Sequence, residues 1–166
     1  MIKTELKETI VQTGIKMLKD GLTVGTWGNF SLRDPETGLI YITPSGMDYE
    51  TLKTTDVVVL DSEINIVDGE CTPSVEKGMH IAIYNAREDV NAVVHTHPLY
   101  STVLGVNKME LPAISEDFAQ IVGYKMSCSE YASRAQTCLP KMLSKVWVKK
   151  TACCSPIMAR CSLAQI

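Results

Sequence analysis

The chain has 166 residues, 45% of them hydrophobic, which suits a single domain with a sizeable core. Lys and Arg number 16 and Asp and Glu 19, a formal charge of -3. That balance excludes the basic footprint of a nucleic-acid surface and a basic membrane patch, so an anionic ligand would need local donors.

The first residues, MIKTELKETIV, mix charged and apolar side chains and lack the apolar core of a signal peptide. No apolar run approaches the roughly 20 residues that span a bilayer. The expectation is a cytoplasmic protein with no membrane partner. Leu6, Ile10, Ile15, Met17 and Leu18 recur at helical spacing and predict an amphipathic helix over residues 3–20, closed by Gly21. Residues 30–33 and 39–43 read as two strands joined by the Asp34-Pro35-Glu36-Thr37-Gly38 turn. Residues 56–60 form a short apolar strand. Residues 63–67 should pair with a neighbour, with Asp68-Gly69 supplying a turn.

After Pro73 the period changes. Ser74 reads as the N-cap of a helix whose apolar face, Met79 to Ala86, runs to about Arg87. Residues 89–97 read as a buried strand, and a further helix begins near Tyr100. Strands and helices without a strict βαβ repeat predict an α/β, α+β-like three-layer sandwich: a central, mostly antiparallel sheet flanked by helices. Of six cysteines, five crowd the last 39 residues. They contain no CxxC pair, and neither a disulfide framework nor a cysteine zinc site is expected.

The sharpest chemical signal is His95-Thr96-His97. Residues i and i+2 of a strand share a face, so the two imidazoles can meet one cation, and neutral imidazole suits zinc. Pro98 ends the strand where the pair emerges. Glu76 stands at the start of the preceding helix. If that helix packs back on the strand, its carboxylate can ligate metal or act as a base; alternatively it only complements the helix dipole. His80, one turn later, reads as a packing or hydrogen-bonding histidine, with ligation as the alternative. Three small-residue turns carry donors suited to phosphate: Gly25-Thr26-Trp27-Gly28-Asn29, Thr43-Pro44-Ser45-Gly46 and Thr72-Pro73-Ser74.

Together the runs GLTVGTWGNFSLRD, GLIYITPSGMDYETL and TPSVEKGMHIAIYNAREDVNAVVHTHPLYST resemble the class II aldolase/adducin family, nearest to its L-fuculose-phosphate aldolase branch, over about residues 5–132. The resemblance implies an α/β sandwich, usually a homotetramer with active sites at subunit interfaces, and one Zn2+ per subunit. By that resemblance His95 and His97 match two of three zinc histidines. Glu76 matches the catalytic base, which can also sit on the metal. Asn29, Ser45, Gly46 and Ser74 match phosphate-binding positions, with Thr26 and Gly28 in the same loop. The implied activity is cleavage of a phosphorylated ketose to dihydroxyacetone phosphate and an aldehyde. The alternatives are a related lyase such as methylthioribulose-1-phosphate dehydratase, or a catalytically dead domain used for assembly, as in adducin. Two departures stand out. Val75 replaces a second serine, and after LPAI the chain carries Ser115-Glu116-Asp117-Phe118 where the fuculose-phosphate branch has a catalytic tyrosine.

No histidine follows His97, although the family's third zinc histidine lies in a later segment ending like NHG. Residues 134–166 also lack the patterning of the rest. Taking each codon from the third base of one triplet and the first two of the next, Met158-Ala159 and Trp147-Val148 are forced to glycine. The shifted frame from Ser133 then permits a run containing LLLANHG. The expectation is a class II aldolase domain over residues 1–133, followed at 134–166 by an out-of-frame tail that lacks the third histidine.

Overall fold

The computed structural model describes residues 1–128, 152–154 and 161–164. Most of the tail expected to lie out of frame therefore falls outside the described residues. The elements, in chain order, are α1 (Thr4–Lys19), β1 (Asn29–Arg33), β2 (Ile40–Ile42), β3 (Val58–Leu60), β4 (Ile66–Asp68), α2 (Lys77–Ala86), β5 (Ala92–His95), α3 (Leu99–Val106), β6 (Leu111–Pro112), α4 (Glu116–Ile121), β7 (Lys125–Cys128), β8 (Ala152–Cys154) and β9 (Cys161–Ala164). The strands form one sheet in the order β4-β3-β2-β1-β5-β9-β8-β7-β6. Every described pairing is antiparallel except β7 with β8. The sheet is thus mostly antiparallel with helices packed on it, as the alternation of patterns predicts.

Strand alternation sorts the core into two layers. Tyr41, Val57 and Val59, with Phe30 and Leu32, face α1, where Ile10, Val11 and Met17 form the helix's apolar stripe. Ile40, Ile42, Val58 and Leu60, with Val93, face α2 and meet Met79, Ile83 and Tyr84. The helix ends where the sequence places its stop: Gly21 takes φ +68°, and its N–H donates to the Leu18 carbonyl at 3.1 Å. The turn between β1 and β2 closes on buried Asp34, whose carboxylate accepts from Lys3 Nζ at 2.9 Å and Thr37 Oγ1 at 2.7 Å. Burial raises the Asp34 carboxyl pKa, but these bonds outweigh burial and leave it below the usual range.

Two local expectations are corrected. The strand expected at 63–67 lies at Ile66–Asp68, so Asp68 ends β4 rather than opening a turn, and residues 61–65 make the turn that joins β3 to β4. Asp61 Oδ1 accepts from the Glu63 and Asn65 amides at 2.8 and 2.9 Å, and Ile64 is carried to φ +73°. An aspartate that satisfies the turn's own amides fixes the hairpin there, and the strand starts after it. Gly69 is instead needed for close approach: a Cβ there would stand 3.0 Å from the Val57 carbonyl oxygen. Second, Ser74 does not cap α2. Glu76 occupies the N-cap position without a side-chain capping bond, while Ser74 Oγ accepts from the Glu76 amide at 3.2 Å and shapes the turn leading in.

Gly14 and Gly78 both lie in helices but in different surroundings. A Cβ on Gly14 would come within 2.5 Å of the Tyr49 ring, whereas one on Gly78 meets nothing within 4 Å. Both gain helix propensity on mutation to Ala, by up to about 1 kcal/mol. At Gly14 overpacking against a buried ring costs about 1–3 kcal/mol. Thermal unfolding should therefore show Gly78→Ala raising Tm and Gly14→Ala lowering it.

Candidate active site

Strand β1 reads Asn29-Phe30-Ser31-Leu32-Arg33. Phe30 and Leu32 belong to the α1 layer, so Asn29, Ser31 and Arg33 project toward α2. β5 pairs with β1 so that Asn29 lies opposite His95 and Ser31 opposite Val93. This register brings the end of β5, the start of β1 and the start of α2 to one place.

There, Glu76 Oε2 accepts a hydrogen bond from Asn29 Nδ2 at 2.6 Å and stands 3.4 Å from His95 Nε2. His95 Nε2 lies 2.9 Å from His97 Nε2, with the rings edge-to-face at 4.6 Å between centroids. Glu76 and His95 are buried, at 6% and 0% exposure. His97 is half-buried and lines a cleft of about 420 Å3 together with Asn29 and Glu76. Every residue expected to bind phosphate lines the same cleft: Thr26, Gly28, Asn29, Ser45, Gly46 and Ser74, with Val75 beside them.

The cleft wall is built from two copies of one tripeptide. Thr43-Pro44-Ser45 and Thr72-Pro73-Ser74 pair through an isolated antiparallel bridge between the prolines. The Ser45 amide donates to the Thr72 carbonyl at 2.9 Å and the Ser74 amide to the Thr43 carbonyl at 3.1 Å. Those two amides are thereby used, so the serine hydroxyls and the following amides of Gly46 and Val75 are the donors left for an anion. Gly28 is required where it stands. It takes φ +77°, and a Cβ would lie 2.6 Å from the His95 carbonyl oxygen.

Behind the cleft the polar residues are fully engaged. His80 is completely buried, with Nε2 2.5 Å from Asn29 Oδ1 and Nδ1 2.6 Å from Ser31 Oγ. It is therefore a hydrogen-bonding histidine. Ser31 Oγ lies 2.8 Å from the Tyr84 hydroxyl, which also donates to the Ser31 carbonyl at 2.9 Å. Arg33 sits over the Tyr84 ring at 5.1 Å and donates to the carbonyls of Tyr84, Arg87 and Glu88, closing the end of α2.

Sequence reasoning gave no role to Trp27, which lines the cleft, or to Tyr49, which holds one of its loops. Trp27 is 65% exposed on the cleft rim, with its ring edge-to-face to His97 at 5.8 Å. A lone indole inside a loop of small residues was the available signal. Buried Tyr49 donates to the Gly28 carbonyl at 2.9 Å and pins that loop. Its hydroxyl is pushed up to about 12, first by burial, with the Glu76 charge adding to it. Ser115, in the segment that departs from the fuculose-phosphate branch, caps α4 by accepting from the Phe118 amide at 3.2 Å.

The donor set suits zinc. Ligand atoms each about 2.0–2.1 Å from a tetrahedral zinc lie roughly 3.3 Å apart. The His95–Glu76 and His95–His97 separations, 3.4 and 2.9 Å, bracket that spacing. Among the described residues no group of three or more His, Cys, Asp and Glu side chains closes around a single point, so the set is partial. Cys71 is a free thiol, and Cys128 Sγ donates to the Gly105 carbonyl at 3.7 Å. No helix among the described residues is long and apolar enough to cross a membrane.

The sequence matches the class II aldolase and adducin N-terminal domain over residues 8–155. The fold is that of a solved L-fuculose 1-phosphate aldolase, 34% identical, with a TM-score of 0.94 over 100% of this chain and 78% of that one. The chain is 42% identical over 131 residues to the 5-deoxy-D-ribulose 1-phosphate aldolase of Bacillus thuringiensis serovar kurstaki, covering 79% of this chain and 61% of that protein. It is 33% identical over 132 residues to the L-ribulose-5-phosphate 4-epimerase of Salmonella paratyphi B, covering 80% of this chain and 58% of that protein. The chain thus spans about three-fifths of the length of these curated relatives. It belongs to the class II aldolase and adducin family.

Burial lowers the His80 imidazole from 6.5 to about 3. Below pH 6.5 the unfolded chain takes up a proton that the folded chain refuses. This contribution to stability is complete above pH 6.5 and is lost as pH falls from there toward 3. Urea unfolding at pH 7.5 and at pH 5 should differ by about 2 kcal/mol from this residue alone. His80→Gln, which has nothing to titrate, should remove that part of the difference.

Proposed function

We propose that this chain carries the phosphate-binding and metal-binding half of a metal-dependent aldolase, a lyase that cleaves a ketose 1-phosphate to dihydroxyacetone phosphate and an aldehyde. The observation that carries the reading is that Glu76 and His97 stand 3.4 and 2.9 Å from His95 Nε2, at a cleft that also holds the serine and glycine turns. Two of the aldolases this chain is similar to are named for L-fuculose 1-phosphate and 5-deoxy-D-ribulose 1-phosphate. Both are deoxyketoses phosphorylated at carbon 1, and that is the substrate class proposed here. The epimerase relative shares the family and makes a weaker guide, at 33% identity against 42%.

Each residue has a role that follows from its place. The hydroxyls of Ser45 and Ser74, with the Gly46 amide and the loop of Thr26, Gly28 and Asn29, would hold the phosphate. Neutral phosphate donors suffice for a dianion when several converge. His95, His97 and Glu76 would hold a divalent cation of the zinc type. When bound, that ion supplies Lewis acidity to offset the negative charge that carbon–carbon cleavage leaves on the enediolate. Glu76 would deliver and remove the proton at the carbon next to the carbonyl, from a carboxylate oriented by Asn29. Trp27, on the rim, would cover the ketose and limit water. Assembly as a homotetramer in the cytoplasm completes the reading.

The absence of any histidine after His97 bears on the metal. We propose that the reading frame after Ser133 is displaced by one base, so that residues 134–166 stand in place of the rest of the same domain. Resequencing the gene tests this directly: an intact frame identical to the present one overturns it.

The functional reading is tested by incubating the chain, and in parallel the frame-restored protein, with L-fuculose 1-phosphate and 5-deoxy-D-ribulose 1-phosphate in the presence of Zn2+. Release of dihydroxyacetone phosphate by the restored protein, abolished by a chelator, is the expected result. Glu76→Gln should cut that rate about 10²–10⁴-fold, the scale of a lost acid–base group. Two imidazoles without the third should retain zinc more weakly than the restored site, measurable by metal content after dialysis. Cleavage that proceeds without bound metal would contradict the proposal.

A further inference from the structure

The residues behind the cleft form a hydrogen-bonded file from Tyr84 through Ser31, His80 and Asn29 to Glu76. All five are buried, the most exposed at 6%. The chemistry of the groups gives the file one direction. Glu76 as a carboxylate can only accept, so the donor of the Asn29 carboxamide, Nδ2, faces it. That leaves Oδ1, which can only accept, against His80 Nε2 at 2.5 Å. Nε2 must therefore carry the imidazole's hydrogen. A neutral imidazole has one such hydrogen, so Nδ1 is an acceptor and takes the Ser31 hydroxyl proton at 2.6 Å. Ser31 Oγ is left to accept from Tyr84, whose one hydroxyl hydrogen is then shared between Ser31 Oγ and the Ser31 carbonyl. The opposite direction would turn the Asn29 oxygen onto the Glu76 carboxylate, two acceptors in a buried space, which is costly.

We propose that His80 is a positioning residue for Glu76. Held as its neutral Nε2–H tautomer, it fixes the orientation of the Asn29 carboxamide, and Asn29 in turn holds Glu76 Oε2 in one place beside His95. The proposal rests on the reading of Glu76 as the metal-binding and proton-transferring carboxylate. It adds that the carboxylate's orientation is set two residues away, by a histidine that does not reach the cleft. His80 is not among the residues lining the cleft, so its influence on a ligand passes through Asn29.

The first measurement is the tautomer itself, on the full chain with 15N-labelled histidine. Long-range 1H–15N correlations at neutral pH should show the His80 ring protonated at Nε2, and protonation at Nδ1 overturns the proposal. The second compares two variants of similar polarity. His80→Gln can place an amide donor near the position of Nε2; His80→Asn is too short and reaches only the region of Nδ1. Zn2+ affinity, measured by chelator competition, should fall about 10–100-fold in His80→Asn, the scale of losing a partner that orients a metal ligand. It should stay within about threefold of the original in His80→Gln. Equal losses in both variants, or no loss in either, overturn the positioning role. If the unaltered chain binds no Zn2+, the metal reading fails and the tautomer alone decides for or against the file. Thermal unfolding of both variants separates loss of fold from loss of orientation.

Discussion

Two residues along a strand and four along a helix cover nearly the same distance, about 6.7 and 6.0 Å. Strand β1 runs alongside helix α2 so that this coincidence makes three successive contacts. Asn29 meets Glu76 and His80, Ser31 meets His80 and Tyr84, and Arg33 meets Tyr84. Residues 29, 31 and 33 are spaced by two, and residues 76, 80 and 84 by four. A polar ladder is thus buried between two apolar layers with its groups matched in pitch. A slip of β1 by one residue would replace the ladder with Phe30 and Leu32 and expose Glu76 to an apolar face. The same register sets Asn29 opposite His95, so the contact that orders the helix against the sheet also assembles the candidate metal ligands.

The front of the site depends on backbone rather than on side chains. The two Thr-Pro-Ser segments hold each other by reciprocal amide–carbonyl bonds, and each feeds one serine to the cleft. One segment follows β2 and the other leads into α2, so the wall joins the sheet to the same helix that the ladder ties from behind. Tyr49 fixes the third turn by donating to the Gly28 carbonyl. The three turns of the cleft are therefore each tied down by hydrogen bonds, which suits preorganised binding of an anion.

Much of this was legible in the sequence, for identifiable reasons. The apolar spacing of residues 6–18 specifies a helix, and α1 occupies Thr4–Lys19. The continuous runs Val57-Val58-Val59 and Ile40-Tyr41-Ile42 specify strands by their β-branched and aromatic content, and the histidine pair announces itself by its spacing of two. What was not legible is the partnership of residues far apart in the chain. Asn29 lies in a small-residue loop that suggests phosphate, and nothing local shows that its side chain spans Glu76 and His80. His80 sits beside an apolar stripe, where a packing role and a bonding role look alike. Ser31 and Arg33 look like the solvent side of an alternating strand, yet they face a helix. The turn at Asp61 was hidden because residues 63–65 read as part of the strand, and only the pairing of β3 with β4 shows where the strand begins.

Arrival order at the ribosome adds a constraint of its own. Asn29 and Ser31 are synthesised well before Glu76, His80, Tyr84 and His95, and at about 5–20 residues per second the wait is on the order of several seconds. During that interval the polar side of β1 has only water to bond with, and β2 is its sole sheet neighbour among the strands already made. The nascent hairpin is thus amphiphilic in the usual sense until α2 arrives and turns its wet side into interior. Completion of the cleft must therefore be a late event in the chain's own biogenesis, coming after the hairpin has formed and only once β5 has emerged to lie alongside it.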